Sequence, residues 1–381
     1  MTKLLIVLTG SREWTLKDGA THPTGFWAEE LVTPHRIFRA AGWDITLATR
    51  EGRAPVVDQN SLDPQYNGGD ARVVEDLKAY LQEIDADLSR PMRLEDVDAD
   101  DFGAVFVPGG HGPMEDLATS TAMGALLLRA LDAETPIGTL CHGSAALLSA
   151  VRDDGSWAFS GYELSAFSDA EETAVGLAEV APWLLESRLR ERGATVSVQG
   201  LWAPHLVSDR TLHTGQNPAS SGPLAERLVA VLRGEEPPPL EAPMPLTGRC
   251  LCGDVSYVAE SAPLITAICH CTDCQRQSGS AYSLVVAVPR DAVELTGDSV
   301  ATFTTTTAAT GTPSYRKFCS RCGSPLVVLP DAAPSMAFIK AGTLDDRKAL
   351  APTLEVHCDD AFAYVTGEET DRTRFPAGLP A

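Results

Sequence analysis

Through the first 233 residues, apolar runs alternate with helix-period patterns. Residues 3–9 read as a buried strand. A polar loop then leads to Thr24-Gly25. From Phe26 to Ala41, Trp27, Leu31 and Phe38 fall near one face and Gly42 stops the pattern, which predicts a helix. Residues 44–49 read as a second strand, and residues 70–84 as an amphipathic helix. Residues 102–107 form a third strand ending in Pro108-Gly109-Gly110-His111-Gly112. A helix is expected over 121–132. An apolar strand from Pro136 then runs straight into Cys141-His142-Gly143 and an alanine- and leucine-rich helix. A long helix over 171–192, strands at 194–198 and 211–214, and a closing helix over 218–233 complete this part. Strand–helix alternation of this kind predicts an α/β fold with a parallel sheet covered by helices on both faces.

The texture changes after residue 234. Five prolines fall between Glu235 and Pro245, which favours an extended spacer. Beyond it, short β-type runs occur at 255–258, 283–288, 301–306, 315–318, 326–329 and 337–341, with little helical periodicity. The expected organisation is an α/β domain over 1–234, a proline-rich linker over 235–245, and a small, mostly-β domain over 246–381.

Charge and cysteine placement add to this. The net charge is −22 over 381 residues, of which −18 falls within residues 1–244. Such acidity argues against nucleic acid or anionic membranes as partners. No run of about 20 apolar residues occurs, so no membrane span is indicated. The first ten residues carry one charge and a short apolar run with no small-residue cleavage site after it, which reads as a first strand rather than a signal peptide. Of nine cysteines, only Cys141 precedes residue 250. The rest are grouped mainly in C-x-C and C-x-x-C pairs, which read as metal sites in a reducing, cytoplasmic setting rather than as a disulfide framework.

Two candidate sites follow. Cys141 sits where a strand turns sharply into a helix, the sequence form of a nucleophile elbow. A sulfur at a helix N-terminus favours the thiolate. Gly109, Gly110 and Gly112 allow close backbone approach and offer N–H groups to an oxyanion. Glu30 is a candidate proton shuttle: it lies beside Glu29 on its helix, where one glutamate can face solvent while its neighbour turns inward, and a carboxyl near a thiol in an apolar pocket has a raised pKa.

The runs Thr24–Pro34, Pro108–Gly112, Cys141-His142-Gly143, Phe167–Thr173 and Thr214–Ser221 together resemble the ThiJ/PfpI superfamily, in its heat-shock glyoxalase III branch, often labelled class I glutamine amidotransferase-like. The resemblance implies a flavodoxin-like sandwich with Cys141 as nucleophile, Glu30 as the inward glutamate four residues before Pro34, and His142 and Glu172 as triad partners. Gly110 would help to hold the oxyanion. The implied reaction is glutathione-independent conversion of methylglyoxal to lactate, a lyase activity. Chaperone, redox-sensing and deglycase roles are the alternatives. Amidotransferase activity is not expected, because His205 and His213 lack the His-x-Glu pair of that class. Members of the family often form homodimers.

The second site lies past the linker. Cys250-x-Cys252 and Cys319-x-x-Cys322 supply two distant thiolate pairs, which suits a closed tetrahedral zinc. Cys269-x-Cys271-x-x-Cys274 supplies three, which leaves a position open. These motifs, with Gly248-Arg249 ahead of the first pair, Gln275–Gly279 after the trio and Gly323–Leu326 after the last pair, resemble the glutathione-dependent formaldehyde-activating (GFA) family, which includes centromere protein V. That resemblance implies a β-tent fold, a structural zinc on Cys250, Cys252, Cys319 and Cys322, a catalytic-type zinc on Cys269, Cys271 and Cys274, and glutathione as co-substrate. His270 and Cys358 receive no role. The joint expectation is a bifunctional enzyme handling reactive aldehydes.

Overall fold

A computed structural model describes the chain except residues 1, 68–69, 238–244, 262, 307–310, 348–351, 353, 364–372 and 375–381. The proline-rich segment therefore lies largely outside the described residues. The chain divides into two compact units, one of residues 1–67 and 71–241, the other of the remainder. No helix among the described residues is long and apolar enough to cross a membrane.

The first unit is built on a seven-stranded sheet. Its strands are β1 (Lys3–Leu8), β2 (Asp44–Thr49), β3 (Met92–Arg93), β4 (Ala104–Val107), β5 (Ile137–Leu140), β6 (Leu206–Asp209) and β7 (Leu212–Gly215), in the order β6-β7-β5-β4-β1-β2-β3. All neighbours are parallel except β6 and β7, which form an antiparallel edge. Five of the six residues of β1 and all four of β4 and β5 are buried. Near-continuous burial on both faces marks a parallel sheet sandwiched between helix layers. The principal covering helices are α1 (Ala28–Ala40), α2 (Ala71–Glu83), α3 (Thr121–Asp132) and α4 (Ser221–Arg233). This is the flavodoxin-like α/β sandwich.

Two expectations need correction. The helix expected over 171–192 is two short ones, Asp169–Ala174 and Leu185–Glu191. Gly176 takes a left-handed φ of 78° just past the first, and Pro182 cannot extend an incoming helix. The strand expected at 194–198 is only Thr195–Val196, and it pairs with Glu163–Leu164 outside the main sheet. Missed altogether were β6, β3 and a hairpin of Glu13–Thr15 with Thr21–Pro23, each of four residues or fewer per strand.

The second unit is β-rich. Leu246–Arg249, Ser256–Ala259 and Val293–Thr296 form a three-stranded sheet. An eight-stranded sheet has Ser283–Pro289 near its centre, between Met336–Lys340 and Ile265–Cys269. A short α-helix, Thr272–Ser278, interrupts the strands.

Candidate functional sites

In the first unit the site forms at the carboxyl ends of β4 and β5, next to the point where the sheet's strand order reverses. Cys141 follows β5 directly and has φ 56°, a left-handed conformation rare for a side-chain-bearing residue. The segment after it, Cys141–Ser149, winds as a 3-10 helix. Gly143 makes this turn possible, because a Cβ there would fall 2.2 Å from the Val107 carbonyl oxygen.

Glu30 projects from the first turn of α1 and is fully buried. Its Oε2 accepts a hydrogen bond of 2.7 Å from the Gly109 N–H. That donor is therefore committed to Glu30 rather than offered to an oxyanion. Glu30 Oε1 has no hydrogen-bond partner. Burial pushes the Glu30 carboxyl up to about 8. Glu29 also loses water: burial pushes it up to about 7, so it is not the freely solvated neighbour its place on the helix implied.

His142 Nδ1 lies 3.4 Å from Cys141 Sγ, and its Nε2 lies 2.7 Å from Glu172 Oε2. The first of these is the looser contact, as thiol contacts are. Opposition from histidine desolvation and the neighbouring His111 outweighs the attraction of Glu172 and lowers His142 to about 4. Glu172 is held well below the usual carboxylate range by His142 and His111 against the cost of burial. Its neighbour Glu171 has a different task. It closes a capping box with Ser168 and accepts from Trp202 N–H and Asn217 Nδ2, tying three segments together.

The thiol corrects a sequence expectation. The helix N-terminus was expected to favour thiolate, yet Cys141 is pushed well up, first by burial and then by the Glu30 carboxylate, which lies within hydrogen-bonding reach. Burial removes the water that would solvate S⁻, and a second anion nearby adds repulsion. Burial thus favours the protonated forms of Glu30 and Cys141 and the neutral form of His142. His205 and His213 bond to Ser197 and Ser208 and take no part.

The burial of Glu30 gives a stability signature. Its carboxyl titrates near 4.5 when solvated and near 8 here, so between those values the folded state holds a proton that the unfolded state has lost. That stabilisation is complete below about pH 4.5 and is lost as pH rises through about 8. Glu172, shifted the other way, acts only below about 4.5. Wild-type protein is expected to lose several degrees of Tm between about pH 5 and 8.5 relative to Glu30→Gln, measured by calorimetry. Parallel curves would show that Glu30 titrates as a solvated acid.

In the second unit, Cys250, Cys252, Cys319 and Cys322 bring four sulfurs within 4.8 Å of one another, and Cys269, Cys271 and Cys274 bring three. Two glycine turns build the first group. Gly253 and Gly323, with φ 76° and 77°, donate back to the carbonyls of Cys250 and Cys319. Left-handed φ is what such a knuckle needs, and glycine adopts it without strain. Sulfur separations of 3.5 Å (Cys250–Cys252) and 3.8 Å (Cys252–Cys319) fit a tetrahedral metal with Zn–S bonds of about 2.3 Å. In the second group Cys269 ends a strand, and Cys271 caps the helix Thr272–Ser278 by accepting from the Cys274 N–H at 3.4 Å.

Two buried cations, which sequence reading did not single out, face this trio. Lys340 Nζ lies 3.9 Å from Cys274 Sγ and donates to Ser283 Oγ at 2.9 Å. Arg316 bonds Asp273, Gln277 and Thr305. Donation from Cys269 and Cys271, helped by both cations, pulls the Cys274 thiol down. A thiolate-rich pocket with cations behind it fits a soft divalent metal. His270 is not in the trio. Its Nε2 lies 3.2 Å from Glu355, and its Nδ1 is buried without a partner. Cys358 lies outside the cluster, its Sγ 3.6 Å from the Glu355 carbonyl.

A buried Cys-His-Glu system with a protonated glutamate on a flavodoxin-like sheet, joined to a β unit with two thiol clusters, defines a class: a cysteine-centred α/β protein fused to a metal-thiolate module. The family models agree. Residues 22–156 match the DJ-1/PfpI family, and residues 245–360 match the glutathione-dependent formaldehyde-activating enzyme family. The protein/nucleic acid deglycase HchA of Pseudomonas aeruginosa is 30% identical over 234 residues, spanning 59% of this chain and 78% of that protein. Glyoxalase 3 of Candida albicans is 25% identical over 60% of this chain and 98% of that protein. The crystal structure of glyoxalase III from Candida albicans superposes with a TM-score of 0.51 at 26% identity, covering 60% of this chain and 96% of that one. The chain belongs to the DJ-1/PfpI family through its first unit and carries a GFA unit after it.

Proposed function

We propose that this chain is a bifunctional enzyme of reactive-carbonyl detoxification. The first unit converts methylglyoxal to lactate at Cys141 without added thiol. What carries this reading is the fully buried, protonated Glu30 beside Cys141, with an oxygen that has no protein partner.

The chemistry follows from the residues. His142 Nδ1 takes the Cys141 proton as sulfur adds to the aldehyde carbon and returns it to the carbonyl oxygen, which becomes a hemithioacetal hydroxyl. The Gly110 N–H stabilises that oxygen while it is negative. Glu30 acts through its ionised fraction: the carboxylate takes the proton from the former aldehyde carbon and gives it to the neighbouring ketone carbon, while the hydroxyl proton passes from the first oxygen to the second through an enediol, leaving a thioester. Water hydrolyses the thioester, releasing lactate and restoring the thiol. Overall, one methylglyoxal and one water give one lactic acid, with no external oxidant. The names of the similar deglycase and glyoxalase support this substrate class.

In the second unit Cys250, Cys252, Cys319 and Cys322 would hold a structural zinc, and Cys269, Cys271 and Cys274 a second zinc with an open position. When bound, that second ion would supply thiol activation, lowering the pKa of an incoming thiol such as glutathione. Lys340 and Arg316 offset the negative charge of the three cysteine sulfurs, and Ser283 holds the ammonium in place. The proposed reaction is that of the matched family's name, formaldehyde activation with glutathione. Metal analysis is expected to return two zinc ions per chain; a value of one removes the second site. Lactate production from methylglyoxal by the full chain, with and without glutathione, tests the first unit. No lactate in either condition would refute it.

A further inference from the structure

Glu172 serves two histidines. One oxygen lies 2.7 Å from His142 Nε2, and the other lies 2.8 Å from His111 Nε2. His111 follows the glycine turn after β4 and is nine-tenths buried. Its ring stacks on Trp14, with centroids 4.7 Å apart and planes at 23°, and lies 4.0 Å from the His142 ring. An ionised carboxylate only accepts hydrogen bonds, so each histidine must present Nε2–H to it. For His142 this fixes the lone pair on Nδ1, the atom facing Cys141.

We propose that His111 is a positioning residue of the thiol site, one that occupies the second oxygen of Glu172 and thereby fixes the rotamer of that carboxylate and the tautomer of His142. A carboxylate held at one oxygen is free to turn about its last torsion, whereas one held at both is not. One carboxylate also balances only one imidazolium, so a neutral His111 at 4.0 Å is the state compatible with His142 taking the Cys141 proton. The groups facing this pair are Cys141, Glu30, Glu171 and Glu172, with His22 edge-on to His111 and Asp58 acting on His22. In accord with the geometry, burial first and then the proximity of the second imidazole oppose protonation of His142.

The inference bears on the site used in the proposed reaction, and its test does not depend on turnover. Nitrogen-15 spectra of the histidines in the zinc-loaded full chain report the tautomer and titration midpoint of His142. His111→Phe keeps a ring against Trp14 and removes the N–H. His111→Gln loses the ring and keeps an N–H within reach of Glu172. His111→Phe is expected to give a mixed His142 tautomer and to raise its midpoint by about one pH unit. His111→Gln is expected to keep both near wild type. In turnover, kcat should fall about tenfold or more in His111→Phe, with KM little changed and the acid limb moved to higher pH. An unchanged His142 in His111→Phe overturns the proposal. So does a His111→Gln protein as perturbed as His111→Phe, which would make ring packing the cause. Should His111→Phe fail to fold, His111→Gln decides alone, because a shifted midpoint there overturns the proposal. A wild-type protein without glyoxalase turnover but with these spectra would refute the activity and leave the role of His111 standing.

Discussion

Replacing Cys141 with alanine is expected to lower lactate formation from methylglyoxal by roughly 10⁴-fold, since residues that act as one unit each remove most of the catalysis. The site has no substitute nucleophile: Cys141 is the only cysteine before residue 250, and it is the sulfur beside His142. Glu30→Gln should be comparably damaging for a different reason. It keeps the neutral shape and still accepts from Gly109, but it cannot carry a proton between carbons. The two variants are separable. Glu30→Gln should still form a covalent adduct with methylglyoxal on Cys141, detectable by mass spectrometry, and Cys141→Ala should not. Retention of turnover in either variant would sink the proposed chemistry. A general thiol reagent cannot replace these variants, because eight other cysteines respond to it.

Loss of zinc is expected to have the largest effect on the second unit. Binding of a structural zinc contributes about 10–16 kcal/mol of apparent free energy in small zinc-folded peptides, and the ligands have no preformed site in an unfolded chain. Cys250 and Cys319 are themselves members of this unit's buried apolar cluster, so removing the metal would leave sulfur charge or empty space in the core. Cys319→Ser in the four-sulfur group should therefore open the region 245–360 to proteolysis. Cys271→Ser in the three-sulfur group should cost one zinc per chain and leave that region resistant. Equal protease resistance in both variants would mean that the four-sulfur group is not structural.

Much of this molecule was legible in the chain, for identifiable reasons. Helix period over 71–83 and 121–132, and unbroken apolar runs in β1, β4 and β5, each report burial locally. The single helix expected over 171–192 does not form because a left-handed glycine at 176 and a proline at 182 interrupt the helical period. Very short strands such as Met92–Arg93 carry too few residues to show any period, and their pairing is decided by the neighbouring strand.

The sequence by itself determined the chemistry available: one elbow cysteine, a glutamate four residues before a proline, and cysteine pairs at ligand spacing. Those are covalent facts that need no third dimension. Only the tertiary structure decided how they are used. It chose between adjacent glutamates, sending Glu172 to His142 and Glu171 to the Ser168 cap. It committed the Gly109 N–H to Glu30, gave Glu172 a second histidine in His111, and set Lys340 behind Cys274 from 66 residues away. It also reversed the expected state of Cys141. A helix N-terminus is a local feature readable from the chain, whereas the loss of water around a thiol and the approach of a distant carboxyl are properties of the packed whole, and at Cys141 those two effects win.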